Sequence, residues 1–129
     1  MISADALEKF RKYLRYKEAV VAAYLFGSAV LDRDRVGSDI DIAVMVRGKM
    51  AGLERVQLET ELSNLLERDV DLVVFGSASP LLQHQILKYG RIIYEADSRV
   101  RVRQEVASRI DYLDSLFLYK VLEDRSHGG

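Results

Sequence analysis

Apolar residues along the chain alternate between short continuous runs and stretches of helical spacing, and that alternation sets the expected order of elements. Ser3 caps a first helix in which Leu7, Phe10 and Leu14 share one face, ending near Lys17. The run from Ala19 to Phe26 reads as a strand covered on both faces and stopped by Gly27. Asp39 to Val46 opens with strict alternation and then turns wholly apolar, which predicts a second strand with an acidic mouth. Leu58, Leu62, Leu65 and Leu66 recur at helical spacing between Met50 and Arg68, and Val70 to Phe75 makes a third strand. Ser79 and Pro80 begin a helix that Gly90 ends at Tyr89, and Arg91 to Tyr94 is a short fourth strand.

A last helix is expected over about 97–123, with a frayed tail at 124–129. Its stripe of Val102, Val106, Ile110, Leu113, Phe117 and Val121 is expected to dock on the sheet. A second row, Tyr112, Leu116 and Tyr119, lies on a different side and is left for core, for a second copy of the chain or for a partner. Alternating strands and helices give an α/β (α+β) class: a small mixed sheet of about four strands packed by helices.

The sequence has 129 residues without an interior linker, which predicts a single domain over 1–129. Hydrophobic residues make up 49% and charged residues 30%, so a packed core is expected rather than disorder. A net charge of −1 with scattered basic residues argues against direct nucleic-acid binding. No apolar run is long enough to span a membrane, the N-terminus lacks the pattern of a secretory signal, and cysteine is absent. Together these predict a cytoplasmic protein.

The candidate chemistry lies between the first and third strands. Period-two geometry puts Asp39 and Asp41 on the same strand face, roughly 6.7 Å apart along the backbone. Two carboxylates so placed can lean around divalent ions that sit about 3.5–4 Å apart in two-metal sites, and oxygen ligands of this kind suit magnesium. A third acid is needed. Asp71, which heads an apolar strand, is the favoured candidate over Asp69, which has the same parity but directly follows a helix end. Gly27 lets backbone approach a phosphate, to which Ser28 and the following amides can donate. Gly-Ser alone is only a turn, as Gly76-Ser77 shows, and it is the framing by buried strands that gives the set its weight.

Gly27-Ser28, ten residues and Asp39-x-Asp41 resemble the motif of the DNA polymerase beta nucleotidyltransferase superfamily, with Asp71 matching its third acid. The likeness widens over the pieces 23–28, 38–44, 69–73 and 80–91 and the terminal helix to the MntA-type minimal nucleotidyltransferases, the antitoxin half of HEPN–MNT toxin–antitoxin pairs. That resemblance implies the polymerase beta-like fold and an ATP-dependent adenylyltransferase acting on a tyrosine of a HEPN ribonuclease toxin. Asp39 and Asp41 would then hold two Mg2+ ions, with Asp71 completing the acceptor-side ion and helping to remove the hydroxyl proton. Gly27, Ser28 and Ser38 would contact the nucleotide. Many members follow Gly-Ser with an aromatic residue and Ala-Arg-Gly. Here 29–33 reads Ala-Val-Leu-Asp-Arg, leaving Arg33 or Arg35 as the replacement arginine.

His84 stands without a second His or Cys at ligand spacing and is expected at a surface or interface, and His127 falls in the tail. Lys88, Arg91 and Arg47 are expected to be solvated. The rival functions are a small-molecule nucleotidyltransferase of the aminoglycoside type, which usually needs a further domain, and an antitoxin acting by contact alone.

Overall fold

A computed structural model of the chain describes residues 2–27 and 39–127. The elements follow in the order α1 (Ala4–Arg15), β1 (Val20–Phe26), β2 (Ile40–Val46), α2 (Gly52–Leu66), β3 (Val70–Val74), a 3-10 turn (Phe75–Ser77), α3 (Pro80–Tyr89), β4 (Arg91–Glu95) and α4 (Ser98–His127). Both N-caps expected from the sequence are in place: Ser3 accepts from the Ala6 amide at 3.1 Å and Ser79 from that of Leu82 at 3.2 Å.

The four strands form one mixed sheet in the order β3-β2-β1-β4, as expected from the alternating pattern. β1 runs antiparallel to both β2 and β4, whereas β2 and β3 are parallel because α2 carries the chain back to the starting end of the sheet. Glu67, in the left-handed region at φ 54°, turns the chain out of α2 toward β3.

Each face of the sheet has its own core. On one face Ile40, Ile42, Val44, Leu72 and Val74 meet Phe10 and Leu14 of α1 and Leu58, Leu62 and Leu66 of α2. Burying each such side chain contributes about 1.5–3 kcal/mol relative to leaving it in water. On the other face Ala22, Tyr24, Ala43 and Met45 pack with Phe75 and Ile86, and Val100 of α4 lies against them. Tyr24 and Phe75 stack with ring centroids 6.1 Å apart.

The terminal helix corrects the sequence reading in two respects. Its stripe does not dock on the sheet: Val102, Val106, Ile110, Leu113 and Phe117 are all exposed. The docked side is polar, with Glu105 and Ser108 buried and Arg101, Gln104 and Tyr112 half-buried. The physical reason is that the sheet and α3 present polar groups that need partners there. Tyr24 Oη donates to Glu105 Oε1 at 2.6 Å, and Ser108 Oγ donates to Gln83 Oε1 at 2.7 Å. Gln83 Nε2 in turn donates to the Phe75 carbonyl at 2.7 Å, and Gln104 Nε2 to that of Val46 at 3.1 Å. Leaving these groups buried and unmatched would cost more than the lost apolar burial. The second correction concerns the tail, since α4 continues as helix through His127 rather than fraying at 124.

Candidate active site

β2 carries Ile40, Ile42 and Val44 into the α1/α2 core, so its odd positions point to the opposite face. Asp41 is the first of these, followed by Ala43 and Met45 in the α3/α4 core. Asp39 precedes the strand by one residue and is exposed. In the parallel pair Asp41 stands level with Asp71, and Val70 and Leu72 on either side of Asp71 are buried. Asp41 and Asp71 are therefore neighbours on one sheet face at the end where both strands begin.

Gly27 closes this end from the other side. Phe26 is the register partner of Asp41, and Gly27 follows with φ +74°, where a side chain is strained. A Cβ at Gly27 would lie 2.3 Å from Asp41 Oδ2. The glycine is thus required twice, by its backbone conformation and by the carboxylate pressed against it.

The electrostatics are those of crowded like charges. Burial, then the charge of Asp71, then that of Asp39, hold the Asp41 carboxyl above its ordinary value. Asp69 and Asp71 are both exposed, and it is the charge of Asp71, not that of Asp69, that bears on Asp41. No ion pair is formed by Asp39, Asp41 or Asp71 among the described residues. The three do not close into a ready ligand set, since no group of three His, Cys, Asp or Glu side chains at metal-holding distance occurs among the described residues. In kind, however, the donors fit a divalent cation: hard oxygens only, repelling one another, at the open end of a sheet.

Three side chains that the sequence reading passed over hold the strand on either side of Asp71. β3 is an edge strand, and α2 covers its free edge. Glu59 Oε2 accepts from the Leu72 amide at 2.8 Å and Ser63 Oγ accepts from the Val70 amide at 3.0 Å. Arg55 Nη1 donates to the Leu72 carbonyl and to Glu59 Oε2, both at 3.2 Å. The outward backbone groups flanking Asp71 are thereby satisfied by side chains rather than by another strand. The i, i+4 spacing of Arg55, Glu59 and Ser63 beside Leu58 and Leu62 is the only trace of this in the sequence.

Ser28, Ser38, Arg33 and Arg35 lie outside the described residues. Arg47 is taken up by Asp97 at 3.0 Å, and Lys88 lies over the Tyr89 ring. Arg91 is exposed. His84 stacks on Tyr112 with centroids 3.8 Å apart, a contact between α3 and α4 far from a ligand role. Among the described residues no helix is long and apolar enough to cross a membrane.

The family described as "Polymerase beta, Nucleotidyltransferase" matches residues 8–99, which takes in Gly27 and all three acids. The chain belongs to this family. Within it, the chain is similar to the MntA-type minimal nucleotidyltransferases. The protein adenylyltransferase MntA of Shewanella oneidensis is 38% identical over 71 residues, 55% of this chain and 51% of that protein, so the match spans about half the length of that relative. A chain in a crystal structure of a toxin–antitoxin with AMP-PNP superposes with a TM-score of 0.68 at 27% identity, over 95% of this chain and 93% of that one. A chain in the structure of tri-AMPylated Shewanella oneidensis HEPN toxin with its MNT antitoxin gives a TM-score of 0.62 at 26% identity, over 95% and 91%. The mixed sheet, its flanking helices and the long terminal helix are thus the fold of this nucleotidyltransferase group.

Proposed function

We propose that the chain is a magnesium-dependent protein adenylyltransferase that neutralises a HEPN-domain toxin by moving AMP from ATP to a tyrosine hydroxyl of that toxin. The observation that carries this reading is the level pairing of Asp41 with Asp71 across β2 and β3, backed by Gly27, in a chain of a nucleotidyltransferase family. Relatives with the same fold include an adenylyltransferase and a chain solved beside an AMPylated toxin, which points to a protein hydroxyl as acceptor.

In the reaction the acceptor oxygen forms a bond to the α-phosphorus of ATP, the bond from that phosphorus to the bridging oxygen breaks, and pyrophosphate leaves. Asp39 and Asp41 would hold the divalent cations and Asp71 would complete the acceptor side. Bound magnesium supplies charge neutralisation on the phosphates and alignment of the reactants. Asp71, open to solvent at the strand start, takes up the hydroxyl proton. Gly27 leaves room for the phosphates beside Asp41, because any side chain there would fill the approach. Ser28 and Ser38 are the proposed donors to the nucleotide. Crowded acids account for the metal requirement: the triphosphate cannot approach three carboxylates until their charge is offset.

The test is direct. The purified chain is incubated with ATP, magnesium and the HEPN-domain toxin of its own genome, and the intact mass of the toxin is measured. Addition of whole adenylyl groups that stops with EDTA is the expected outcome. Neutralisation of the toxin with no added mass would replace the reading with inhibition by contact.

A further inference from the structure

α4 presents one continuous apolar stripe that no described part of the chain covers. Val102, Val106, Ile110, Leu113 and Phe117 are each between 47% and 70% open to solvent. At about 100° per residue they lie on the side of the helix opposite Arg101, Glu105, Ser108 and Tyr112, the side that faces the domain. The spacing is regular, since Val102 to Leu113 and Val106 to Phe117 are both steps of eleven residues. Such a repeat gives about 3.67 residues per turn, so the stripe keeps to one side of a nearly straight helix and a second helix can follow it with slight right-handed winding.

The charges beside the stripe say what that second helix is. On the same side the N-terminal half carries Arg99, Arg103 and Arg109, and the C-terminal half carries Asp114, Lys120 and Asp124. One half is basic and the other net acidic. Among the described residues Arg99, Arg103, Asp114 and Asp124 form no ion pair, whereas Arg109 is turned to Glu105 of its own helix at 3.8 Å. Turned end for end about Ile110, the pattern complements itself. Val102 comes level with Phe117, and Val106 with Leu113, each within one residue, and Ile110 meets its own copy. Arg103 then lies three residues, about 4.5 Å along the axis, from Asp114 of the other copy, and Arg99 lies as far from its Asp124. Arginine side chains reach across that offset. A parallel pair would set basic half on basic half.

We infer that two copies of the chain associate through this stripe, as antiparallel α4 helices related by a two-fold axis at Ile110. Such an interface is self-complementary, as two-fold association requires. The stripe lies across α4 from the sheet, so Asp41 and Asp71 of each copy stay outside the seam.

The experiment uses the full chain alone, by sedimentation over a range of concentrations. The parent should be a dimer, and Ile110→Glu, which sets two like charges face to face on the axis, should raise the dissociation constant about thirtyfold or more. Helix content by circular dichroism should stay at the parental value. Arg103→Glu should weaken the dimer about fivefold, and Arg103→Glu with Asp114→Arg should return it to within about twofold of the parent. The chain has no cysteine, so single introduced thiols report the register. Under oxidation Ile110→Cys should link to itself, and Val102→Cys should link to Phe117→Cys in a mixture but not to itself. Should Ile110→Glu lose its fold, these cysteine variants decide the matter in folded protein. A parent that stays monomeric overturns the proposal, as does a dimer that Ile110→Glu leaves intact. Self-linking of Val102→Cys as readily as of Ile110→Cys would overturn the antiparallel arrangement.

Discussion

Two polar regions lie on the same face of the sheet, and they are built on opposite terms. Under the first half of α4 the buried polar groups are matched: Tyr24 with Glu105, Glu105 with Arg101 at 2.8 Å, Arg101 with Glu95, and Ser108 with Gln83. At the start of β2 and β3 Asp41 stands level with Asp71 and feels the charge of both Asp71 and Asp39, with no cation paired to them among the described residues. A matched network stabilises the fold, while a repelling cluster costs stability and is kept for what it binds. Removing a member should therefore have opposite consequences in the two places.

The largest effect is expected at the carboxylates. Asp39→Asn with Asp41→Asn should reduce AMP transfer to background, because Asp71 alone would be left of the three carboxylates proposed to hold the cations. The melting temperature without magnesium should hold or rise. For Asp41 the sign follows from its raised carboxyl value in the fold. Below the unfolded value both states are protonated and the penalty is absent; as pH rises through the folded value it becomes fully present. The stability gap between Asp41→Asn and the parent should thus open as pH rises through and above the ordinary aspartate range and close below it. A variant less stable than the parent at neutral pH in EDTA would show that Asp41 is a structural acid.

Asp71 and Asp69 come next, since they separate a level neighbour of Asp41 from a residue of the same parity in the preceding turn. Initial rates of AMP transfer should fall to near background for Asp71→Asn and change by less than about twofold for Asp69→Asn, a surface substitution away from the site. The reverse ranking would move the third acid to Asp69.

At the matched network the loss is one of stability. Glu105→Ala leaves the Tyr24 hydroxyl without its acceptor and Arg101 with one carboxylate fewer, at a cost of about 2–4 kcal/mol. Denaturant titration should show the shift. Transfer measured well below the melting transition should remain near parental. An equal loss of rate in the fully folded variant would tie the network to catalysis and erase the contrast.

The elements were legible in the sequence because buried strands such as Val20–Phe26 are continuously apolar and helices such as Pro80–Tyr89 carry their own caps. Strand period puts Asp39 and Asp41 on one face in the sequence reading, but β2 begins at Ile40, so Asp39 stands before the strand; the level pairing of Asp41 with Asp71 was within reach once a third strand was read. The docking side of α4 was not legible. Periodicity reports apolar burial, whereas Glu105 and Ser108 are buried by hydrogen bonds to Tyr24 and Gln83, 81 and 25 residues away. The stripe at Val102, Val106 and Ile110 was real but belongs to the solvent side in this chain. Nor does any local pattern show that Gly27 stands against the Asp41 carboxylate, since that contact exists only once β1 and β2 pair.

The smallest effect is expected where the two kinds of polar group meet, at the edge of β3. Glu59 accepts from the Leu72 amide and pairs with Arg55 at 3.2 Å, and through Leu72 it fixes the strand position of Asp71. Glu59→Ala should cost about 1 kcal/mol, because the freed amide lies at a partly exposed edge where water can replace the carboxylate. The strand would then be held at Val70 by Ser63 alone among the α2 acceptors. A loosened Asp71 should show as a several-fold lower kcat with the KM for ATP nearly unchanged, since misplacing the acceptor side affects the chemical step more than nucleotide binding. Glu59→Gln keeps an acceptor oxygen and loses the charge, so it should restore most of kcat. Equal rates in parent, Ala and Gln variants would confine Glu59 to covering the sheet edge, and equal loss in Ala and Gln would mean that its charge, rather than its grip on Leu72, reaches the site.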